Sequence, residues 1–88
     1  IEDIDEIAEY IARDSRVRAA RFVSRLYTAV SRLQDFPYSG RTVPESNKST
    51  IREIFVYPYR VIYRVTPDEV IVWTVVHMRR DFKPHDPE

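Results

Sequence analysis

Eighty-eight residues make one domain with no room for a second core, and 43% apolar residues with a single glycine is a globular composition, not a disordered one. With no cysteine there is neither a disulfide framework nor a thiolate site, which fits a reducing cytoplasm. The formal net charge of zero gives no long-range pull on a polyanion.

The zero total hides an asymmetry. Residues 1–14 hold Glu2, Asp3, Asp5, Glu6, Glu9 and Asp14 against one base, Arg13, while residues 15–34 hold five arginines and no acid. The simplest expectation is two neighbouring helices that attract each other. The longest apolar run, 70–76, is broken by Thr74 and too short to span a bilayer, and no signal peptide is visible. The chain opens at Ile1 without a Met, so a few residues are expected ahead of it.

Residues 2–13 read as a helix. Ile4, Ile7, Ala8 and Ile11 fall at i, i+3, i+4 and i+7 and form one apolar stripe. Ser15, or alternatively Asp14, caps a second helix whose stripe runs through Ala19, Val23, Leu26, Val30 and Leu33 and is widened by Phe22. A linker this short folds the two helices into an antiparallel hairpin over residues 1–34. The stretch FPYSG at 36–40 stops the second helix, with Gly40 available for a left-handed turn. Residues 35–50 are then a connecting loop, polar and irregular from 41 onward, and expected to be the most mobile part.

The rest reads as a β-meander over 51–82. Residues 51–57 and 59–65 form strands separated at Pro58. The sequence Thr66-Pro67-Asp68-Glu69 makes a tight turn, and residues 70–76 are apolar on both faces, which predicts a central strand covered on both sides. Residues 83–88 form a tail that leaves the sheet. The fold class is α+β: an N-terminal antiparallel α-hairpin packed on one face of an antiparallel β-sheet, in a single domain over 1–88.

Motifs for common enzyme chemistry are missing. There is no Gly-rich phosphate loop, no H-E-x-x-H and no Cys/His metal spacing; His77 and His85, with Asp81 or Asp86, offer only a weak metal alternative. What remains is a basic and aromatic set: Tyr59, Arg60, Tyr63, His77, Arg79 and Arg80, with Glu45 and Arg52 as candidate neighbours. A hairpin that turns near 67–68 places Arg60 roughly opposite His77, so one sheet end becomes a cationic corner. Two readings stay open. Either the corner binds phosphate or acidic groups and moves protons, or Arg60 pairs with Glu53 or Asp81 and His77 is a hydrogen-bonded strand end.

Four segments then resemble one family: DEIAEYIARDS (5–15), LQDFPYSGRTVPE (33–45), IREIFVYPYRVIYRV (51–65) and DEVIVWTVVHMRRD (68–81). Together they resemble the RelE/ParE superfamily of bacterial type II toxins over nearly the whole chain. The resemblance implies an α-hairpin on an antiparallel sheet. It also implies a short N-terminal edge strand, which has no match in this sequence. RelE-like members cut mRNA on the ribosome; ParE-like members poison DNA gyrase and are neutralised by a small antitoxin.

For the nuclease branch, Arg60 in YRVIY, Glu45 in VPE and Arg79 fall at positions that resemble functional ones, and His77 completes the set. Against it, the tail DFKPHDPE lacks the C-terminal tyrosine, and IREIFVY has one Arg and no Lys. HMRRD resembles the H-x-x-R-D ending of ParE-like members. The resemblance therefore implies a ParE-like, non-catalytic toxin that arrests growth and stabilises a plasmid or genome. Arg60, His77, Arg79, Arg80 and Arg52 become candidate contacts to target or antitoxin. It implies a ParD-like antitoxin in a hetero-oligomer, DNA gyrase as target, a cytoplasmic site of action, no metal or other cofactor, no membrane, and no DNA binding without the antitoxin.

Overall fold

A computed structural model of the chain describes the backbone of residues 2–79 and the side-chain environments of 4–79. Two helices come first, α1 (Glu2–Asp14) and α2 (Arg16–Ser31), followed by a 3-10 turn at Arg32–Gln34. Ser15 is the N-cap of α2 and its hydroxyl accepts from the Arg18 N–H at 3.1 Å, which satisfies one of the helix's open donors. Four strands follow, β1 (Arg41–Thr42), β2 (Ile51–Val56), β3 (Tyr59–Val65) and β4 (Val70–His77). They form one antiparallel meander in the order β1-β2-β3-β4. Among the described residues, no helix is long and apolar enough to cross a membrane.

The hairpin packs as its stripes dictate. Ile4, Ile7 and Ile11 of α1 and Phe22, Leu26 and Val30 of α2 meet Val56, Val61, Val72 and Val75 on one face of the sheet. Leu33, from the 3-10 turn, closes the far end against Tyr63 and Val65. The opposite face carries a second, smaller cluster of Val43, Ile51 and Ile62, flanked by Trp73 and Val76.

Three expectations change. The strand buried on both faces is β3, with Val61, Ile62 and Tyr63 all at 0% exposure. β4 is at the sheet edge among the described residues, and the sheet there has no N-terminal strand. β4 looks apolar on both faces because of a register shift. Ile62 pairs with Thr74 but Tyr63 pairs with Val72, so Trp73 is an extra residue. The bulge lets Val70, Val72 and Val75 all serve the helix face while Trp73 and Val76 serve the other.

The loop after the hairpin is also more ordered than its polarity suggests. Arg41 and Thr42 pair with Glu53 and Arg52, and Val43 is buried. Gly40 has no positive φ, so the left-handed turn is absent. Glycine is required there by closeness: a Cβ would stand 2.5 Å from both the Glu53 carbonyl oxygen and the Tyr63 hydroxyl. That hydroxyl accepts from the Gly40 N–H at 3.0 Å and donates to the Pro37 carbonyl at 2.7 Å, which ties the loop to the middle of the sheet. Burial, the largest cause, pushes the Tyr63 phenol above its ordinary value of 10.0.

Tyr63→Phe keeps the ring but leaves the buried Gly40 N–H without its acceptor, an expected loss of about 1–3 kcal/mol in urea unfolding near neutral pH. The native phenol holds its proton above the unfolded value. Its contribution is therefore present below pH of about 10 and lost as pH rises through the raised native value. The wild type is expected to lose stability in that alkaline window and Tyr63→Phe to lose less; identical alkaline slopes would contradict this.

Candidate functional site

Strand parity decides which side chains meet. Glu53 on β2 and Arg60 on β3 share the face away from the helices, and both are buried, at 1% and 6% exposure. A charge taken out of water needs a partner, and here the partners are complete. Arg60 Nε donates to Glu53 Oε1 at 2.6 Å. Its two terminal nitrogens donate to the two oxygens of Glu45, Nη1 to Oε2 at 2.9 Å and Nη2 to Oε1 at 2.8 Å. This is the planar bidentate geometry that guanidinium and carboxylate favour. The second oxygen of Glu53 accepts from Arg41 Nε, and the Arg41 guanidinium lies 5.0 Å from the centre of the Phe55 ring. The bonds to Glu45 and Glu53 hold Arg60 above the ordinary arginine value, with Glu45 the largest cause, against the opposing effect of burial.

His77 is elsewhere. β3 and β4 pair Tyr59 with His77 and Arg60 with Val76, one position away from the register that spacing alone suggests. A one-residue shift changes the face. His77 therefore sits on the helix face, edge-on to Tyr59 with ring centres 5.5 Å apart. Its Nδ1 accepts from the Arg79 N–H at 3.1 Å, so the ring closes the end of the strand. Tyr59 in turn lies 5.1 Å from Phe22. Burial first, then the neighbouring Tyr10, pushes the Tyr59 phenol above 10.0.

Arg52 is also committed. It donates from Nε to the Ser49 carbonyl at 2.8 Å and from Nη1 to the Gly40 carbonyl at 3.1 Å, and covers the Tyr38 ring at 4.9 Å. Arg79 is exposed. Arg80, Asp81, His85 and Asp86 lie outside the described residues.

The predicted cationic corner is thus split between two faces. The structure joins Arg60 to Glu45 and Glu53 and separates both from His77. Chemically the joined set is closed: Glu45 accepts from Arg60 through both oxygens, and Arg60 directs all three of its nitrogens at carboxylates. Glu53 is one of the two partners expected for Arg60, and Arg41 is the member that the sequence reading did not single out. The signal for Glu53 is an acid within a mostly apolar strand, at the parity that faces Arg60.

The helices contribute no comparable network. None of Asp5, Glu6, Glu9 and Asp14 is ion-paired with an arginine of α2 among the described residues, so the charge asymmetry of the two helices is not resolved by direct pairs.

Comparison with known proteins adds a family. Residues 1–82 match the family model described as the ParE toxin of type II toxin-antitoxin system, parDE. The chain is 42% identical over 81 residues to the putative toxin Y4kP of Sinorhizobium fredii, a match that covers 90% of this chain and 80% of that protein.

Arg60→Leu leaves the buried Glu53 with only the exposed Arg41, and is expected to destabilise by about 3–5 kcal/mol. Glu45→Gln keeps one acceptor and is expected to lose about 1 kcal/mol, with faster amide exchange confined to residues 43–50. Urea unfolding and hydrogen exchange measure both; a near-neutral Arg60→Leu would show that the network is dispensable to the fold.

Proposed function

This chain belongs to the ParE toxins of type II toxin–antitoxin systems, and we propose that it acts as a toxin that inhibits DNA gyrase by binding it, without catalysis of its own. Family membership implies a cognate antitoxin as partner. In this reading that antitoxin is ParD-like, neutralises the toxin within a hetero-oligomer and supplies the DNA binding. Gyrase as target makes the cytoplasm the place of action and growth arrest the outcome.

One observation carries the non-catalytic reading: both oxygens of Glu45 are taken by Arg60. A general base must offer a lone pair to the proton it removes, and an arginine that stabilises a phosphorane must have donors to spare. In this arrangement the Arg60 charge is already balanced by two carboxylates, and Glu45 is turned toward Arg60. His77 is on the other face of the sheet and spends Nδ1 on the chain end. The nuclease set Arg60, Glu45, His77 and Arg79 therefore has no common point at which a phosphate could meet it. Arg79, exposed at the end of β4, and Arg80 after it are the members of the original cluster that remain as target contacts.

The test is a paired assay on the purified chain freed of antitoxin. Gyrase supercoiling and cleavage-complex formation are measured beside mRNA cleavage on translating ribosomes. The expected outcome is inhibited gyrase with intact mRNA. Cut mRNA with unaffected gyrase would overturn the reading and return the superfamily's nuclease activity to this chain.

A further inference from the structure

On α2, Arg18, Arg21 and Arg25 fall at i, i+3 and i+7, so they form one ridge along the helix. They line a groove of about 420 Å³ together with Phe22, with Pro58 from the turn between β2 and β3, and with Tyr10 and Asp14 of α1. The three arginines differ in how they are held. Arg25 is anchored: its Nη2 donates to the Tyr57 carbonyl at 2.8 Å and its guanidinium lies 5.8 Å from the centre of the Phe22 ring. The side chains of Arg18 and Arg21 make no hydrogen bond or ion pair with any described residue. Asp14, the one acid lining the groove, pairs with neither.

Like charges one helical turn apart repel, so this ridge is a feature that an anion relieves. Its surroundings say which kind. Tyr10, at 65% exposure, lines the groove with the arginines, and Arg and Tyr are both enriched at protein interfaces. The site is a groove with an aromatic wall, not a flat basic stripe, and the whole chain carries no net charge that would draw a nucleic acid from a distance.

We propose that this groove seats an acidic segment of the antitoxin, with carboxylates against Arg18 and Arg21 and an apolar or aromatic side chain against Tyr10 and Pro58. The inference rests on the toxin–antitoxin reading and adds to it a site and the chemistry of what fills the site. Charge complementarity sets the occupant: three arginines facing one aspartate call for carboxylates from outside the chain.

The experiment measures antitoxin affinity of the full chain at low and high salt for the wild type and for Arg18→Glu/Arg21→Glu. An Arg16→Glu/Arg32→Glu control makes the same change in net charge at exposed sites of the same helical segment outside the groove. Circular dichroism checks that all three fold alike. The groove variant is expected to bind about tenfold or more weakly at low salt and to lose most of its salt dependence, while the control stays within about twofold. Replacing acids of the antitoxin segment by Lys is expected to restore binding to the groove variant. Equal affinity of groove variant and control overturns the inference and leaves the toxin–antitoxin reading standing. A wild-type chain that ignores the antitoxin brings down both. Antitoxin affinity kept while binding to DNA or RNA is lost would assign the ridge to nucleic acid and overturn the proposal.

Discussion

The structure turns on a guanidinium placed where water cannot reach it. Arg60 sits in the most buried strand of the sheet, and burial of that charge is tolerable only because Glu53 and Glu45 close around it. The consequences spread outward. Glu45 comes from the loop, so its pairing with Arg60 brings residues 43–50 down onto the sheet. Val43 is then held over Ile51 and Ile62, and a second core forms on the face the helices leave open. An apparently polar connection thereby becomes a structural layer. Arg60, Glu45 and Glu53 thereby join the loop to the sheet through one ion-pair network.

That arrangement also orders the surface. One face of the sheet is occupied by the α-hairpin and the other by the loop and its ion pairs, so chemistry in the sheet's interior is closed off. The proposed contact surfaces lie around its margins: the end of β4 with Arg79, and the arginine ridge of α2 beside Tyr10. The proposed action by occupying a larger target calls for exposed, rigidly backed side chains. The domain has its buried charges paired internally and exposed arginines on a helix surface.

Much of this was legible in the sequence, for identifiable reasons. The i, i+3, i+7 spacing of Ile4, Ile7 and Ile11 and the hydroxyl of Ser15 specify the hairpin locally, and the structure follows them. Residues 59–65 alternate cleanly and match β3 without adjustment. The failures came where non-local geometry decides. The bulge at Trp73 cannot be seen in a run of apolar residues, yet it sets which faces β4 serves. The pairing of Arg60 with Val76, and not His77, depends on a turn register that residue spacing fixes only to within one position, and one position moves a side chain through the sheet. From sequence alone Gly40 suggests a left-handed turn, which the structure does not contain. The reason for glycine there is the approach of the Glu53 backbone and the Tyr63 hydroxyl, residues distant in sequence. The attraction expected between acidic α1 and basic α2 takes no form as a direct ion pair among the described residues, although Asp14 lines the same groove as Arg18, Arg21 and Arg25.

The most direct test of the account replaces the buried ionic trio by apolar residues of similar volume, Arg60→Met, Glu53→Met and Glu45→Leu together, since such exchanges can preserve or raise stability when every charge is removed at once. Gyrase inhibition by the folded triple variant is the quantity to measure. Retained inhibition is the predicted result, because the trio serves the fold and not a reaction. A variant that unfolds with the wild-type midpoint yet leaves gyrase untouched would contradict the account, and would show that Arg60 or its partners take part in the toxic action itself.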